Sequence, residues 1–356
     1  MTKSKRKGSL RYQSLLGLAS RQKMKVFLDS KKGYYKANLH CHTTNSDGKL
    51  TPEQIKDIYK SRGYSAVAFT DHEHLIDNSH LTDDGFVAIT GCELAIKEES
   101  SGSTLRSPRM KATHLCLWAK DPHNDITPCY SSVADHFITP SVEGRVKADT
   151  DEQRVYTREC VERIISTARE RGFLVCYNHP SWSLQDATDY PMHGAADFIE
   201  VFNTGSVMGG LYCDEAAYSE MLRLGYKVMP VAADDNHNRR PVDSADSDSF
   251  GGFVMINADR LDYSSLISSL ERGDFYASTS PSIYSLTLDG RTVRVKTSPV
   301  KKISVISGGR PSKARIADGE EYLTEWELTL PDSFDGFRIK LDDGRGGMAF
   351  TRFYEI

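Results

Sequence analysis

The sequence contains no long hydrophobic run and no cysteine framework. No stretch approaches the roughly 18–20 apolar residues that span a bilayer, and no apolar segment of a secretory signal follows the N-terminus. The seven cysteines are odd in number and include no CxxC pair. This pattern disfavours a disulfide-stabilised fold. We therefore expect a cytoplasmic protein with reduced cysteines and no contact with a membrane interior.

Charge is distributed unevenly along the chain. Residues 1–36 contain eleven Lys or Arg and one acid, Asp29, so this segment carries +10 while the whole chain carries −4. The remaining 320 residues therefore carry −14. An acidic body disfavours a broad nucleic-acid-binding surface. The basic segment is interpreted as a solvated tail, with contact to RNA, DNA or a membrane surface as the alternative.

Short apolar runs alternate with amphipathic segments between residue 35 and about residue 276. The candidate strands are Ala37–Cys41, Ala66–Thr70, Phe86–Thr90, His114–Trp118, Phe173–Tyr177, Phe198–Phe202, Lys227–Ala232 and Gly252–Ile256. The candidate helices are Thr51–Arg62, Thr157–Arg171, Tyr212–Leu224 and Ser264–Arg272. Alternation at this spacing predicts parallel strands with crossover helices, and about seven such units indicate an α/β fold of the TIM-like (β/α) barrel type.

Three segments depart from this alternation. Residues 97–112 form a polar, Ser-rich loop, and residues 121–156 have weak periodicity and are expected to lie over the barrel mouth. After Pro281, apolar and polar residues alternate between turn signals, which predicts a small antiparallel β-module. We therefore predict a basic extension at 1–33, a barrel at 34–282 and a β-sandwich-like module at 283–356.

Most of the eleven histidines stand in short motifs beside predicted strands. His40 and His42 are two residues apart on one strand, so both side chains face the same way and can bind one ion. An HxH pair alone is weak evidence of a metal site. Other potential ligands occur in the segments Ser46-Asp47-Gly48, Asp71-His72, Gly91-Cys92-Glu93, Thr113-His114, Asn178-His179 and Asp234-Asp235-Asn236-His237. In a parallel barrel the strand ends meet at one face, so the pattern predicts a metal cluster there.

The ordered motifs NLHCHTTNSDGKLTPEQ, AFTDH, GCE, NHPSW, IEVFN and ADDNH resemble the PHP (polymerase and histidinol phosphatase) family of metallohydrolases. The resemblance extends from Lys36 to about Pro281. It implies a distorted seven-stranded (β/α) barrel with a trinuclear metal site at the C-terminal face of the strands. By position in the motifs, it assigns the first ion to His40, His42, Glu93 and Asp235, the second to Glu93, His114 and His179, and the third to Asp47, His72 and His237.

The ligand types narrow the choice of metal without deciding it. A carboxylate at Asp47 favours manganese or iron at the third position, while zinc stays a candidate for the cluster as a whole. We expect Asp71 and Asp234 to support neighbouring ligands rather than bind metal. His74, in the TDHEH segment, is expected on the substrate side or at the surface.

These ligands predict hydrolysis of phosphate esters by a metal-bridging hydroxide, because two ions that share Glu93 can lower the pKa of a common water toward about 7. The expected catalytic residues are Glu93, Asp235 and His237. The expected substrate contacts are Arg239, Arg240 and Asn203, since phosphate requires cationic or hydrogen-bond-donating partners. The substrate would be a small phosphomonoester or nucleotide. Metal-bound water is the preferred proton source, with His193 as a further candidate.

Two alternatives use the same residues. The same metal cluster could hydrolyse a carbamate or carboxyl ester, and an apolar pocket without usable Arg or Lys would favour that reaction. The chain could also be a binding protein with structural metals. Structural zinc sites are usually closed and rich in cysteine, whereas these candidate ligands are imidazoles and carboxylates spread over many strand ends.

Overall fold

The computed structural model describes residues 24–99 and 110–356. Most of the basic segment and the middle of the Ser-rich loop lie outside the described residues. The strands are β1 (Lys25–Leu28), β2 (Gly33–Asn38), β3 (Ala66–Phe69), β4 (Val87–Lys97), β5 (Ala112–Ala119), β6 (Ile126–Thr127), β7 (Lys147–Ala148), β8 (Phe173–Tyr177), β9 (Phe198–Asn203), β10 (Met229–Ala233), β11 (Phe253–Ala258), β12 (Phe275–Ser278), β13 (Ile283–Asp289), β14 (Thr292–Val300), β15 (Lys302–Ile306), β16 (Ser312–Ile316), β17 (Leu323–Thr329), β18 (Gly336–Asp342), β19 (Met348–Thr351) and β20 (Tyr354–Glu355). The α-helices are α1 (Pro52–Ser61), α2 (Arg158–Glu170), α3 (Thr204–Met208), α4 (Glu215–Arg223) and α5 (Tyr263–Arg272).

The candidate strands and helices of the first 280 residues correspond to observed elements, most with small shifts at their ends, whereas the predicted strand Ala37–Cys41 overlaps β2 only at Ala37 and Asn38. Helix α1 begins where its sequence favours a start. The Thr51 side chain accepts a hydrogen bond from the Gln54 amide, and the Gln54 side chain accepts one from the Thr51 amide. This reciprocal pair satisfies two amides that the first helical turn leaves unpaired. None of the helices in the described residues is long and apolar enough to cross a membrane.

One large mixed sheet carries the strand ends that hold the predicted ligands. Its strands follow the order β10-β9-β8-β5-β4-β3-β2-β11-β12-β19-β18-β15-β16, with β20 beside β18. The predicted closed barrel is not observed, because β10 and β11 lie side by side without a hydrogen-bonded ladder between them. The fold is therefore a mixed α/β fold built on a large, open sheet.

The expectation of uniformly parallel strands is wrong for two of them. Strand β5 runs antiparallel to both β4 and β8, and β11 runs antiparallel to β2. No amphipathic segment separates β4 from β5 in the sequence, and antiparallel neighbours, unlike parallel ones, need no crossover helix between them. This reversal brings the first residues of β5 to the same end of the sheet as the last residues of β2, β3, β4 and β8.

Two apolar layers fill the sheet's two sides. The layer enclosed by the curved sheet includes Trp118, Cys116 and Cys176, and the indole nitrogen of Trp118 donates to the Leu39 carbonyl at 2.9 Å. The outer layer lies between the sheet and the amphipathic helices α2 and α4. Each strand between the layers is buried on both faces, which explains its continuous apolar run.

Residues after Pro281 form antiparallel strands, as their alternation predicts. One layer of this module is the sheet β1-β13-β14-β17, and the other is continuous with the large sheet through β12 and β19. Strand β1 comes from the predicted N-terminal extension. Its Leu28 is fully buried in the core of the module. Strand β1 therefore packs against strands from the C-terminal part of the chain.

Replacing Leu28 by Ala should lower the free energy of unfolding by about 2–4 kcal/mol, because a fully buried leucine leaves a cavity. Val26 lies on the same strand and is 47% exposed, so Val26→Ala should change stability by less than about 0.5 kcal/mol. Urea unfolding followed by circular dichroism measures both. Equal effects of the two substitutions would contradict the placement of β1.

Candidate metal centre

The centre is built on the Glu93 carboxylate, which β4 carries into the end of the large sheet. Glu93 is 1% exposed. Imidazole nitrogens surround its two oxygens at N–O distances between 3.0 and 3.6 Å. The histidines are His40, His42, His72, His114 and His179. Histidines from four separate segments of the chain therefore converge on one buried anion.

The two oxygens of Glu93 face different groups. Oε1 lies 3.1 Å from His114 Nδ1 and 3.2 Å from His179 Nε2, whereas Oε2 lies 3.0 Å from His72 Nδ1. His114 reaches this position because β5 is reversed, so that the start of the strand lies at the end of the sheet where the other ligands gather. A carboxylate with imidazole nitrogens beside both of its oxygens is placed so that each oxygen could bind a different ion.

Asp235 completes the group around His40 and His42. Its Oδ1 lies 3.2 Å from His40 Nε2 and 3.0 Å from His42 Nε2. The adjacent Asp234 points elsewhere: it is fully buried and accepts hydrogen bonds from the Tyr59 hydroxyl at 2.8 Å and from the backbone amides of residues 250–252. The expectation that Asp234 supports the structure beside the candidate ligand Asp235 agrees with these contacts.

A third group lies on the Oε2 side of Glu93, around Asp47. The Oδ1 atom of Asp47 lies 3.2 Å from His237 Nε2 and 3.6 Å from His72 Nε2. Asp71 fixes the loop that carries Asp47, since it accepts hydrogen bonds from the Thr43 amide and hydroxyl. Gly48 permits the tight turn, because a Cβ at this position would lie 2.5 Å from the His42 carbonyl oxygen.

Among the described residues, three sets of donor atoms are close enough to share an ion. They are His40, His42 and Asp235; His40, Glu93 and His179; and His42, Asp47, His72 and His237. His114 lies outside these sets but contacts Glu93 directly. The Asp47 Oδ1 and His114 Nε2 atoms are buried and make no hydrogen bond with the described residues. Free buried donor atoms on imidazoles and carboxylates fit zinc, manganese or iron.

The neighbouring imidazoles keep the central carboxylates ionised. Burial opposes the charge of Glu93, but His114 and His40 hold the pKa of this carboxyl well below its usual range. Burial likewise opposes the charge of Asp235, and His40 and His42 lower its pKa. Both acids are therefore anionic at neutral pH, the form that binds a metal ion.

The pKa values of two histidines near Asp47, His42 and His237, are shifted in opposite directions. Burial, together with the neighbouring His72 and His237, lowers the pKa of His42 to about 3, so this imidazole is neutral and free to ligate. Burial also disfavours charge on His237, but Asp47 and Asp235 outweigh it and raise the pKa of His237 to about 9. A metal ion at Asp47 must displace the proton of His237 on binding.

Residues 38–175 match the PHP domain family model. The resemblance that the motifs predict is thereby confirmed for this part of the chain. A 5'-3' exoribonuclease of Haemophilus influenzae is 31% identical over 83 residues, which are 22% of this chain and 30% of that protein. The chain thus spans less than a third of the length of this curated relative.

The chain is also similar to two solved structures at low identity. One is a two-domain protein containing a predicted PHP-like metal-dependent phosphoesterase from Bacteroides vulgatus, with a TM-score of 0.46 and 14% identity over 98% of this chain and 99% of that one. The other is an amidohydrolase from Chromobacterium violaceum with bound sulfate and no metal, with a TM-score of 0.37 and 16% identity over 56% of this chain and 87% of that one.

Two residues that contact the candidate ligands were absent from the sequence-based assignment. Glu200 Oε1 lies 2.7 Å from His40 Nδ1, and its Oε2 accepts the His179 amide at 3.0 Å. Asn178 donates to Glu93 Oε1 at 2.8 Å. Contacts of this kind fix the tautomer and orientation of a ligating imidazole. The available signal was a charged residue inside the buried strand IEVFN, one of the motifs that carry the PHP resemblance.

A cavity of about 720 Å³ opens over the centre. Of the three expected substrate contacts, Arg239 lines it and donates to Asp47 Oδ2 at 2.7 Å. Arg240 instead pairs with Asp246 and does not line the cavity. Asn203 is buried behind the wall, where it caps helix α3 through the Ser206 amide and donates to Asp235.

The 121–156 segment lies over this cavity, as its weak periodicity predicts. The Phe137 ring stacks on the His72 ring with centroids 4.5 Å apart, and His136 and Val133 also line the wall. The segment is fixed by His74, whose Nδ1 lies 3.0 Å from Asp135 Oδ2. The prediction of a surface or substrate-side His74 is wrong, because the segment folds over this side chain and buries it completely.

His193 takes no position at the cavity. Its ring stacks on Tyr177 with centroids 3.7 Å apart, and its Nε2 lies 3.0 Å from the Thr113 hydroxyl. Burial lowers the pKa of His193 to about 3, so the ring is neutral. A neutral histidine packed in the interior does not supply a proton to a ligand in the cavity.

The two adjacent aspartates give a sharp test of the ligand assignment. Asp235→Asn should reduce the bound metal by at least one equivalent and leave the chelated protein folded. Asp234→Asn should keep the metal content but lower the free energy of unfolding by about 1–3 kcal/mol, since buried donors lose a charged acceptor. Metal analysis and urea unfolding in EDTA measure these effects, and the reverse pattern would contradict the assignment.

Proposed function

We propose that the protein is a metal-dependent hydrolase of phosphate esters. The observation that carries the proposal is the Glu93 centre: one buried carboxylate with imidazole donors on both oxygens, at the floor of an open cavity. Such a centre is unlike a closed structural site, because the cavity gives a small molecule access to the ligands. The match of residues 38–175 to the PHP domain supports the same conclusion.

We assign the ligands as the resemblance implies. His40, His42, Glu93 and Asp235 would hold one ion; Glu93, His114 and His179 a second; Asp47, His72 and His237 a third. Divalent metal ions held here would supply Lewis acidity toward phosphoryl oxygens and would lower the pKa of water. Glu93 would contribute to the first and the second of these ligand sets.

The residues around these ligands keep them in place. Glu200 and Asn178 orient His40, His179 and Glu93, so the donor atoms require little rearrangement on metal binding. Arg239 lies at the cavity edge with its guanidinium against Asp47. Since its side chain is 63% exposed, it has donors left for a phosphoryl oxygen. Arg239 would therefore neutralise part of the substrate charge beside the Asp47 group.

The cavity wall favours phosphate over the carbonyl alternative. Its cationic side chains are Arg239, Lys97 and Arg154. A carbamate or carboxyl ester needs no cation beyond the metal site. Arg154 is buried and paired with Glu73, so Arg239 and Lys97 are the cations that support an anionic substrate. The apolar part of the wall, which includes Val133 and Phe137, keeps carbamate or ester hydrolysis as the second candidate.

The Glu93→Gln substitution tests the proposed chemistry. It should reduce phosphate release from p-nitrophenyl phosphate and nucleoside monophosphates by more than about 100-fold, because residues that only orient a ligand already contribute 10–100-fold. Glu200→Gln is the matched control and should stay within that smaller range. Both proteins are assayed after chelation and reloading with zinc, manganese or iron. Wild-type turnover by Glu93→Gln, or cleavage of an aryl carbamate alone, would contradict the proposal.

The neighbouring arginines test the substrate charge. Arg239→Ala should raise KM for p-nitrophenyl phosphate by about tenfold, the effect of losing one charge-assisted hydrogen bond. Arg240→Ala should change KM less, because Arg240 does not line the cavity, although its partner Asp246 does. Steady-state kinetics on the two variants measures both KM values. A larger effect at Arg240 would contradict the assigned cavity edge.

A further inference from the structure

Trp182 is a large aromatic side chain at the candidate metal centre with no assigned role. It is 49% exposed and lines the cavity. Its ring centroid lies 5.0 Å from that of His114 and 5.1 Å from that of His179. Tryptophan side chains are usually well buried in folded proteins. An indole that is half exposed at the edge of a cavity is therefore suited to contact a bound ligand.

The turn that carries Trp182 holds it in a fixed position. The Ser181 amide donates to the Asp214 carboxylate at 3.1 Å, and the Ser183 amide donates to the His179 carbonyl at 3.1 Å. The residues on both sides of the tryptophan are therefore anchored. A rigid indole loses little conformational entropy when a ligand packs on it, which makes it an effective binding surface.

The two oxygens of Glu93 face different parts of the cavity. Oε2 faces the group of His72 and Asp47, where Arg239 is bound. Oε1 faces His114 and His179, beside which the indole lies. A phosphoryl group at the Glu93 centre would thus have a cation on one side and an aromatic surface on the other.

Other apolar side chains line the same cavity as Trp182. Met208, at the end of α3, is 47% exposed, and Val133, on the overlying segment, is 73% exposed. Both line the same cavity. Exposed apolar side chains that share one concave wall are suited to an apolar portion of a ligand, and scattered surface residues would not share a wall in this way.

We propose that Trp182 is a specificity-determining residue that stacks on a flat aromatic ring in the leaving group of the substrate. The inference rests on the proposed phosphoesterase function and narrows it to phosphate esters of aromatic alcohols or of nucleosides. Both classes join a planar ring to a phosphate, which is the chemistry that an indole beside a metal centre recognises.

The test compares substrates with and without a ring. The wild type, Trp182→Ala and Trp182→Phe are assayed on 1-naphthyl phosphate, adenosine 5'-monophosphate and glycerol 2-phosphate. Trp182→Ala should raise KM for the ring-bearing substrates by about tenfold and leave KM for glycerol 2-phosphate unchanged. Trp182→Phe should restore most of the difference. Whichever of the two ring-bearing substrates loses more in Trp182→Ala identifies the class of leaving group.

Leu184→Ala is the matched control, because Leu184 lies in the same turn, is 50% exposed and is not part of the described cavity wall. It should leave all three KM values unchanged. An equal rise for all substrates in Trp182→Ala would show that the indole only supports His114 and His179, and would overturn the inference.

A binding measurement separates this inference from the proposed function. Phenylphosphonate and methylphosphonate are titrated against the metal-loaded protein by calorimetry, which requires no turnover. Tighter binding of phenylphosphonate, lost in Trp182→Ala, supports the aromatic surface even if no phosphate ester is hydrolysed. Failure of the wild type to hydrolyse any phosphate ester would overturn the proposed function, and equal affinity for the two phosphonates would overturn the role of Trp182.

Discussion

A buried carboxylate surrounded by histidines is the constraint on which the site depends. Isolating the charge of Glu93 from water is costly, and five imidazoles within 3.6 Å compensate only if every one of them is held in position. The reversed β5 brings His114 to this carboxylate, Glu200 orients His40, and Asn178 donates to Glu93 itself. The arrangement of strands is thus the means by which donors distant in sequence reach one anion.

The backbone conformation also reflects the need to place the side chains around Glu93. Glu73, His179 and Asp235 have φ values of 69°, 27° and 54°, a region that residues with a side chain seldom occupy. Each is either a candidate ligand or the immediate neighbour of one. Such conformations cost about 1–3 kcal/mol each and persist where the surrounding structure enforces them. Their presence at the centre indicates that the surrounding structure holds these residues in place at a cost in local stability.

Much of this arrangement could be predicted from sequence because it is local. The period of two between His40 and His42, the apolar runs that become strands, and the motif order that selects Asp235 over Asp234 are all properties of short segments. The direction of β5 and the opening between β10 and β11 depend on pairing across the sheet, which no local pattern specifies. The burial of His74 depends on the segment that folds over it.

The substrate side was harder to predict for the same reason. Arg239 and Arg240 are neighbours in sequence, but of the two only Arg239 lines the cavity, and Arg240 pairs with Asp246. Asn203 stands at a strand end, as ligands do, yet its side chain caps α3. Trp182 becomes informative only when its exposure and its distance from two imidazoles are known.

The central claim is that Glu93 bridges metal ions, and anomalous diffraction tests it most directly. Crystals loaded with manganese, iron or zinc would be measured on both sides of the corresponding absorption edge. The account predicts at least two anomalous peaks, one beside each oxygen of Glu93, at coordination distances of about 2.0–2.3 Å. A single ion bound without Glu93, or no ion in the cavity, would contradict it.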